Sequence, residues 1–176
     1  TWLAHFHAQF MSCTPEGIWQ CGTYWHLATR PEELEKISNT TMHQYASFLD
    51  AKLQQCTHQT FVHGDAKLAN FCFNENRTKV AGVDFQYVGK GCGMKDVAYF
   101  IGSCMNENDS EEFEERILNH YFSALKKALK DTDIDTNALE QEWRQLYHVA
   151  WADFERFLLG WSPNHRKLNT YSHRIT

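Results

Sequence analysis

The chain has 176 residues and a mass of 20.6 kDa, of which 43% are hydrophobic and 14% aromatic, enough apolar content to build one folded domain and to exclude disorder as the default. A net charge of -5 and a pI near 6.0 give no bulk attraction to phosphodiesters or anionic lipid, so nucleic-acid and membrane partners are not expected. Six cysteines without a C-x-x-C pair signal neither a zinc site nor a redox motif and read as reduced, mostly buried thiols. With no leader pattern and no apolar run approaching the ~20 residues of a membrane span, the expected location is cytoplasmic.

In chain order, Trp2, Leu3, Phe6, Phe10 and Met11 recur at helical spacing and predict an opening amphipathic helix, with no convincing cap ahead of it, as though the chain were cut there. His5 and His7, two apart, fall on different faces and read as core-edge or surface histidines, not ligands. From Cys13 to Arg30 periodicity is lost: Pro15, Gly17 and Gly22 punctuate Trp19, Tyr24 and Trp25, predicting an ordered aromatic loop whose rings pack on helices. Pro31 and the acids Glu32, Glu33 and Glu35 suit a helix start. The stripe Leu34, Ile37, Tyr45, Phe48, Leu49 and Leu53 then predicts one helix running to the next loop.

At Phe61 the pattern becomes specific. Apolar residues flank the polar loop His63-Gly64-Asp65-Ala66-Lys67-Leu68-Ala69-Asn70, a turn-rich Asn74-Glu75-Asn76-Arg77 link follows, and a second apolar run ends at Asp84. The predicted order is strand, loop, hairpin, strand, carboxylate. His63, Asp65 and Asn70 reproduce the H-x-D-x-x-x-x-N spacing of a kinase catalytic loop, and Asp84 falls where the metal-binding Asp of D-F-G would be. The residue types suit that chemistry. A hydroxyl approaches the terminal phosphorus of a triphosphate only when metal ions and cations neutralise its oxygens. Magnesium prefers oxygen ligands and keeps several waters, so the Asn70 amide and the Asp84 carboxylate are a sufficient anchor. Asp65 is placed to orient the acceptor hydroxyl and take its proton. Lys67 would project beside Asp65 and meet the transferring phosphoryl group as a point charge, a catalytic and nucleotide-binding role together. His63, next to a buried strand, reads as a hydrogen-bonded scaffold residue.

Gly89, Gly91 and Gly93 form a G-x-G-x-G run after the Asp84 strand, without P-loop or Rossmann spacing, so it is not read as a phosphate loop. Asp96 is expected to cap a helix carrying Val97, Phe100 and Ile101. Asp109 with Glu112 predicts a capping box opening a long helix with Phe113, Ile117, Leu118, Tyr121, Phe122, Leu125 and Leu129 on one face. After a polar link, a last helix carries Leu139, Trp143, Leu146, Tyr147, Ala150, Trp151, Phe154, Phe157 and Leu158. It is too apolar for a lone surface helix. Residues from Ser162 to Thr176 read as a surface tail.

His63-Gly64-Asp65 with Asn70, Val83-Asp84-Phe85-Gln86, and Lys95-Asp96-Val97-Ala98-Tyr99-Phe100 resemble the aminoglycoside phosphotransferase and choline kinase superfamily, and within it the ecdysteroid-kinase-like branch. The resemblance spans roughly Trp2 to Met105. It implies a protein-kinase-like fold and ATP- and magnesium-dependent phosphorylation of a small-molecule hydroxyl. It further implies Asp65 as catalytic base, Asn70 and Asp84 as metal ligands, and Asp96 as a helix cap behind the site. The sequence departs from the superfamily at Lys67, where many members carry His or Trp, and at Gln86, where many carry an acid. No Ala-Pro-Glu follows, which argues against a protein substrate. No strand-Gly-loop-strand with a Lys precedes the loop. The expectation is therefore a single domain over residues 1–176, α+β and mainly α: the C-terminal lobe of a protein-kinase-like fold, with a small antiparallel hairpin carrying the active residues. The nucleotide lobe of the same parent protein would be its partner, and the lobe alone is expected to be inactive. Competing readings are a non-catalytic kinase-like binding or regulatory module and an N-acting phosphotransferase.

Overall fold

A computed structural model describes residues 1–38 and 40–176. The described residues form, in order, α1 (Trp2–Gln9), α2 (Pro31–Glu35), α3 (Thr40–Gln54), β1 (Thr60–Val62), a 3-10 turn (Leu68–Asn70), β2 (Phe71–Phe73), β3 (Val80–Gly82), β4 (Gly89–Gly91), α4 (Met94–Cys104), α5 (Glu107–Ala128), α6 (Thr136–Trp161) and α7 (Thr170–Ile175). The fold is α+β and mainly helical, with two small antiparallel sheets. In one, β1 pairs with β4, Thr60 opposite Gly91 and Val62 opposite Gly89. In the other, β2 pairs with β3, Phe71 opposite Gly82 and Phe73 opposite Val80.

The spine is α6. Asp135 caps it, its side chain accepting from the Asn137 and Ala138 amides, and those amides hold the exposed carboxyl below its ordinary range. Trp143, Tyr147, Ala150, Phe154 and Phe157 are fully or almost fully buried along it, each large side chain contributing about 1.5–3 kcal/mol by leaving water. Helices α2, α3, α4 and α7 all pack on α6. The glycine before α4 is needed for close approach: a Cβ on Gly93 would lie 2.6 Å from the Trp143 ring and 2.8 Å from His7 Nδ1.

Five expectations need correction. The helix opening at Pro31 does not run on to Leu53: Pro31–Glu35 is one short helix and Thr40–Gln54 another, and Tyr45 and Phe48 of the expected stripe face solvent. Asp109 does not open a capping box. Asn106 caps α5, accepting from the Asp109 amide at 2.9 Å, so the helix starts earlier. Asp96 does not cap α4, which starts after Gly93, because its carboxylate is drawn to other amides. The final segment is not a surface tail: α7 is closed by a capping box between Asn169 and Ser172 and buries Tyr171 against α6 and α5. The six cysteines are free, but only Cys56 and Cys92 are buried.

Several polar residues of α6 are engaged inside the fold. Asp153 is sealed in an ion pair with Arg156, 2.9 Å apart, Glu155 accepts from His173 and Thr176, and Trp151 stacks edge-on to Tyr171. None of the described helices is long and apolar enough to cross a membrane.

Candidate active site

Strand β1 delivers the chain to His63, whose imidazole is fully buried. Its Nε2 donates to the Val83 carbonyl at 2.9 Å and its Nδ1 accepts from the Asp65 amide at 3.3 Å, which together assign a neutral ring. The same ring packs on Phe85, centroids 4.6 Å apart. His63 thus joins the loop to the segment that bears Asp84.

The backbone on either side is held from below by Asp96. Its carboxylate accepts from the His63 amide at 2.6 Å, from the Gly64 amide at 3.0 Å, and from His7 Nε2 at 3.1 Å, while His7 Nδ1 accepts from the Tyr121 hydroxyl at 2.6 Å. A buried carboxylate is tolerable only with partners of this kind. Gly64 adopts φ +84, and a Cβ there would run into the Tyr87 backbone, so both conformation and space demand glycine. Its carbonyl accepts from the Tyr24 amide and Thr23 Oγ1, at 3.0 and 3.2 Å. Those bonds retain Thr23 at φ +102, an unfavourable setting for a β-branched residue.

Asp65 is 4% exposed. Its Oδ2 accepts from Lys67 Nζ at 2.7 Å and Asn70 Nδ2 at 2.9 Å, and Asn70 Nδ2 also donates to the Asp65 carbonyl at 2.8 Å. Both donor positions of the Asn70 amide therefore face Asp65, leaving Oδ1 turned away and without a protein donor among the described residues. The Asn70 carbonyl accepts from the Val83 amide at 2.9 Å, which places residue 84 beside the loop. Asp84 is exposed, adopts φ +67 and has no hydrogen bond or ion pair among the described residues. The structure thus bonds Asp65 to both Lys67 and Asn70 and ties Val83, the residue before Asp84, to the same loop.

Sequence reasoning missed three neighbours of Asp65. The Tyr24 and Tyr99 hydroxyls lie 3.5 Å apart; burial pushes the Tyr24 hydroxyl up to about 12 and Tyr99 higher still, with Asp65 adding to both shifts. Lys167, from the segment read as a tail, lies 4.3 Å from the centre of the Tyr99 ring and 5.0 Å from that of Phe154. Burial and then Arg166 lower its ammonium to about 8, against a pull from Asp65. No local pattern announces the approach of Lys167 to Tyr99 on α4 and Phe154 on α6, which lie far from it in sequence. A roomy cleft of about 520 Å³ lies elsewhere, lined by Trp2, Phe71, Phe73, Val97 and Phe100, and none of Asp65, Asn70 or Asp84 opens into it.

The residues from 2 to 134 match the ecdysteroid kinase-like family. The chain belongs to that family. It is also similar to an uncharacterized kinase-like protein of Caenorhabditis elegans, 22% identical over 172 residues, in an alignment that covers 84% of this chain and 45% of the relative. The chain thus spans about half the length of that curated relative. No solved structure matches it significantly. Within this kinase-like family, the Asp65 loop lies in the matched region and Lys167 lies outside it.

Proposed function

We propose that this ecdysteroid kinase-like chain is the catalytic lobe of a phosphotransferase that moves the γ-phosphoryl group of ATP, with magnesium, to a hydroxyl of a small molecule. The observation that carries the reading is the contrast at the loop's two carboxylates: Asp65 oriented by Lys67 and Asn70, Asp84 exposed and unpartnered at φ +67. An unsatisfied carboxylate in a sparsely populated conformation suits a ligand that is to be bound there.

The donor set fits a hard cation. Asn70 Oδ1 and the Asp84 carboxylate are the oxygens this lobe would offer to magnesium, and two protein oxygens suffice for an ion that keeps waters and phosphates in its shell. When bound, magnesium and its nucleotide supply a phosphoryl group whose charge is neutralised for attack. The chain's own contribution is the rest. Asp65 accepts the acceptor's hydroxyl proton on its carboxylate; Asn70 fixes that carboxylate's orientation; Lys67, bonded to Asp65 Oδ2, is close enough to turn toward transferred negative charge. His63 and Asp96 hold the loop backbone. Exposed Leu68, Val83 and Phe85, 38 to 42% accessible, lie next in sequence to Lys67 and Asp84 and suit coverage by a nucleotide-binding lobe of the parent protein.

The test is ADP release by the full-length parent with a metabolite library of alcohols. Asp65→Asn and Asp84→Asn are each expected to lower turnover sharply at limiting magnesium, and full activity retained in both would refute the assignment. The isolated lobe is expected to bind ATP weakly; micromolar affinity by calorimetry with magnesium would contradict the two-lobe reading.

A further inference from the structure

Helices α1, α4 and α5 and the β2–β3 hairpin border the cleft of about 520 Å³, and the chemistry proposed at Asp65 makes no use of it. Four aromatic rings, Trp2, Phe71, Phe73 and Phe100, form its walls, and three of them are fixed by one another. Trp2 stacks on Phe6 at 5.2 Å and meets Phe71 edge-on at 5.4 Å, and Phe71 meets Phe100 edge-on at 5.4 Å. Val97 and Ile101 add buried apolar surface, and the Tyr121 hydroxyl is already committed to His7 at 2.6 Å. The inner wall is therefore apolar and largely formed before anything binds, which keeps the ordering cost of an occupant small. The outer lining is of one sign. Arg77 and Lys79, on the turn between β2 and β3, are exposed and have no ion pair among the described residues, and the imidazoles of His5 and His120 line the same cleft. None of the lining residues is Asp or Glu, although the chain carries 22 acidic residues against 17 basic ones. An aromatic slot edged by unpaired cations and by no carboxylate is complementary to a flat ring system with an anionic end.

We propose that this cleft is a second ligand site, separate from the Asp65 loop, that takes a small aromatic carboxylate: the ring lies among Trp2, Phe71, Phe73 and Phe100, and the carboxylate meets Arg77 and Lys79. The rings supply apolar burial and edge-to-face contacts. The guanidinium of Arg77 matches a carboxylate with two parallel donors, and Lys79 adds a point charge. Selectivity follows from the rim. A neutral aromatic of the same shape buries the same surface but leaves both cations unpaired, so the charge decides between the two. Occupancy needs neither nucleotide nor magnesium, so the proposal is independent of phosphoryl transfer.

The test is calorimetric titration of the full-length parent with indole-3-acetate and with its neutral amide, indole-3-acetamide, without ATP or magnesium. The acid is expected to bind with a Kd on the order of 100 μM and the amide about fivefold more weakly or worse. Arg77→Gln combined with Lys79→Gln should erase that difference by weakening the acid alone, whereas Phe73→Ala, a change at a half-exposed ring, should weaken both compounds. Both variants alter exposed side chains, so the fold is retained. No binding of the acid below about 1 mM would overturn the proposal, and would mean that the rest of the parent chain covers the cleft or that nothing fills it. An acid no tighter than its amide would overturn it too, as would an affinity for the acid that either variant leaves unchanged.

Discussion

The two carboxylates at the loop are built in opposite ways. Asp65 is buried and engaged by Lys67 and Asn70; Asp84 is exposed, strained and free of partners among the described residues. Behind Asp65 stands a further layer, Asp96 with His7 and Tyr121, whereas the Asp84 segment is held mainly through its neighbours, by Val83 to the loop and by Phe85 to the His63 ring. The difference teaches that the fold itself orients one carboxylate at this site and leaves the other without a protein partner among the described residues.

Four measurements would break or sharpen that comparison. On the proposed function, the largest effect is expected in the full-length parent protein: Asp65→Asn should lower turnover by about 10²- to 10⁴-fold, the worth of the general base proposed there, with its magnesium requirement unchanged. Asp84→Asn should instead raise the magnesium needed for half-maximal activity. Identical metal dependence in the two variants would erase the distinction.

Next comes the stability of the chain. Asp96→Ala strands the His63 and Gly64 amides and should cost about 3–5 kcal/mol in urea unfolding, while Asp84→Ala should stay within about 0.5 kcal/mol. Equal losses would mean that Asp84 is structural after all.

A smaller effect separates both from the His26–Asp50 pair, whose Nδ1 and Oδ1 lie 3.0 Å apart. The raised His26 pKa stabilises the fold fully below about 6.5 and loses that contribution as pH climbs through about 9, whereas the lowered Asp50 pKa contributes above its unfolded value and is lost on acidification. The stability gap between native protein and His26→Gln should therefore be on the order of 2 kcal/mol near pH 6 and close by pH 10. A gap independent of pH would deny the charge pair.

The smallest is at Lys167. A lysine lowered to about 8 costs stability when charged, and that cost is relieved as pH rises from about 8 toward its unfolded value. Lys167→Met should raise the melting temperature by a degree or two at pH 7, the lost ring contacts offsetting part of the gain, and the advantage should vanish near pH 10. A drop in melting temperature at pH 7 would show that the ring contacts dominate.

What could be read from the sequence was what lies within a few residues. His63, Asp65 and Asn70 share one loop, so their spacing was enough to bring them together, and the hairpin link from Asn74 to Arg77 announced the return to Asp84. The partner of Asp96 was not readable. A carboxylate near a helix start satisfies either that helix or a passing loop, and only the pairing of β1 with β4 brings His63 and Gly64 within reach. The same holds for the cap of α5, where Asn106 and Asp109 both carry suitable side chains, and for Lys167, whose approach to Tyr99 depends on α7 anchoring Tyr171.

Gly93 has a backbone that any residue could adopt, φ -59 and ψ -18, so its single hydrogen is required for room alone. Alanine there would be a wedge of one methyl group, driven between α1 and α6 at the root of α4. Because Asp96 rides on the first turn of α4 and reaches the Asp65 loop through its two amides, such a wedge would act as a lever, loosening the loop from beneath without altering any group that faces the substrate.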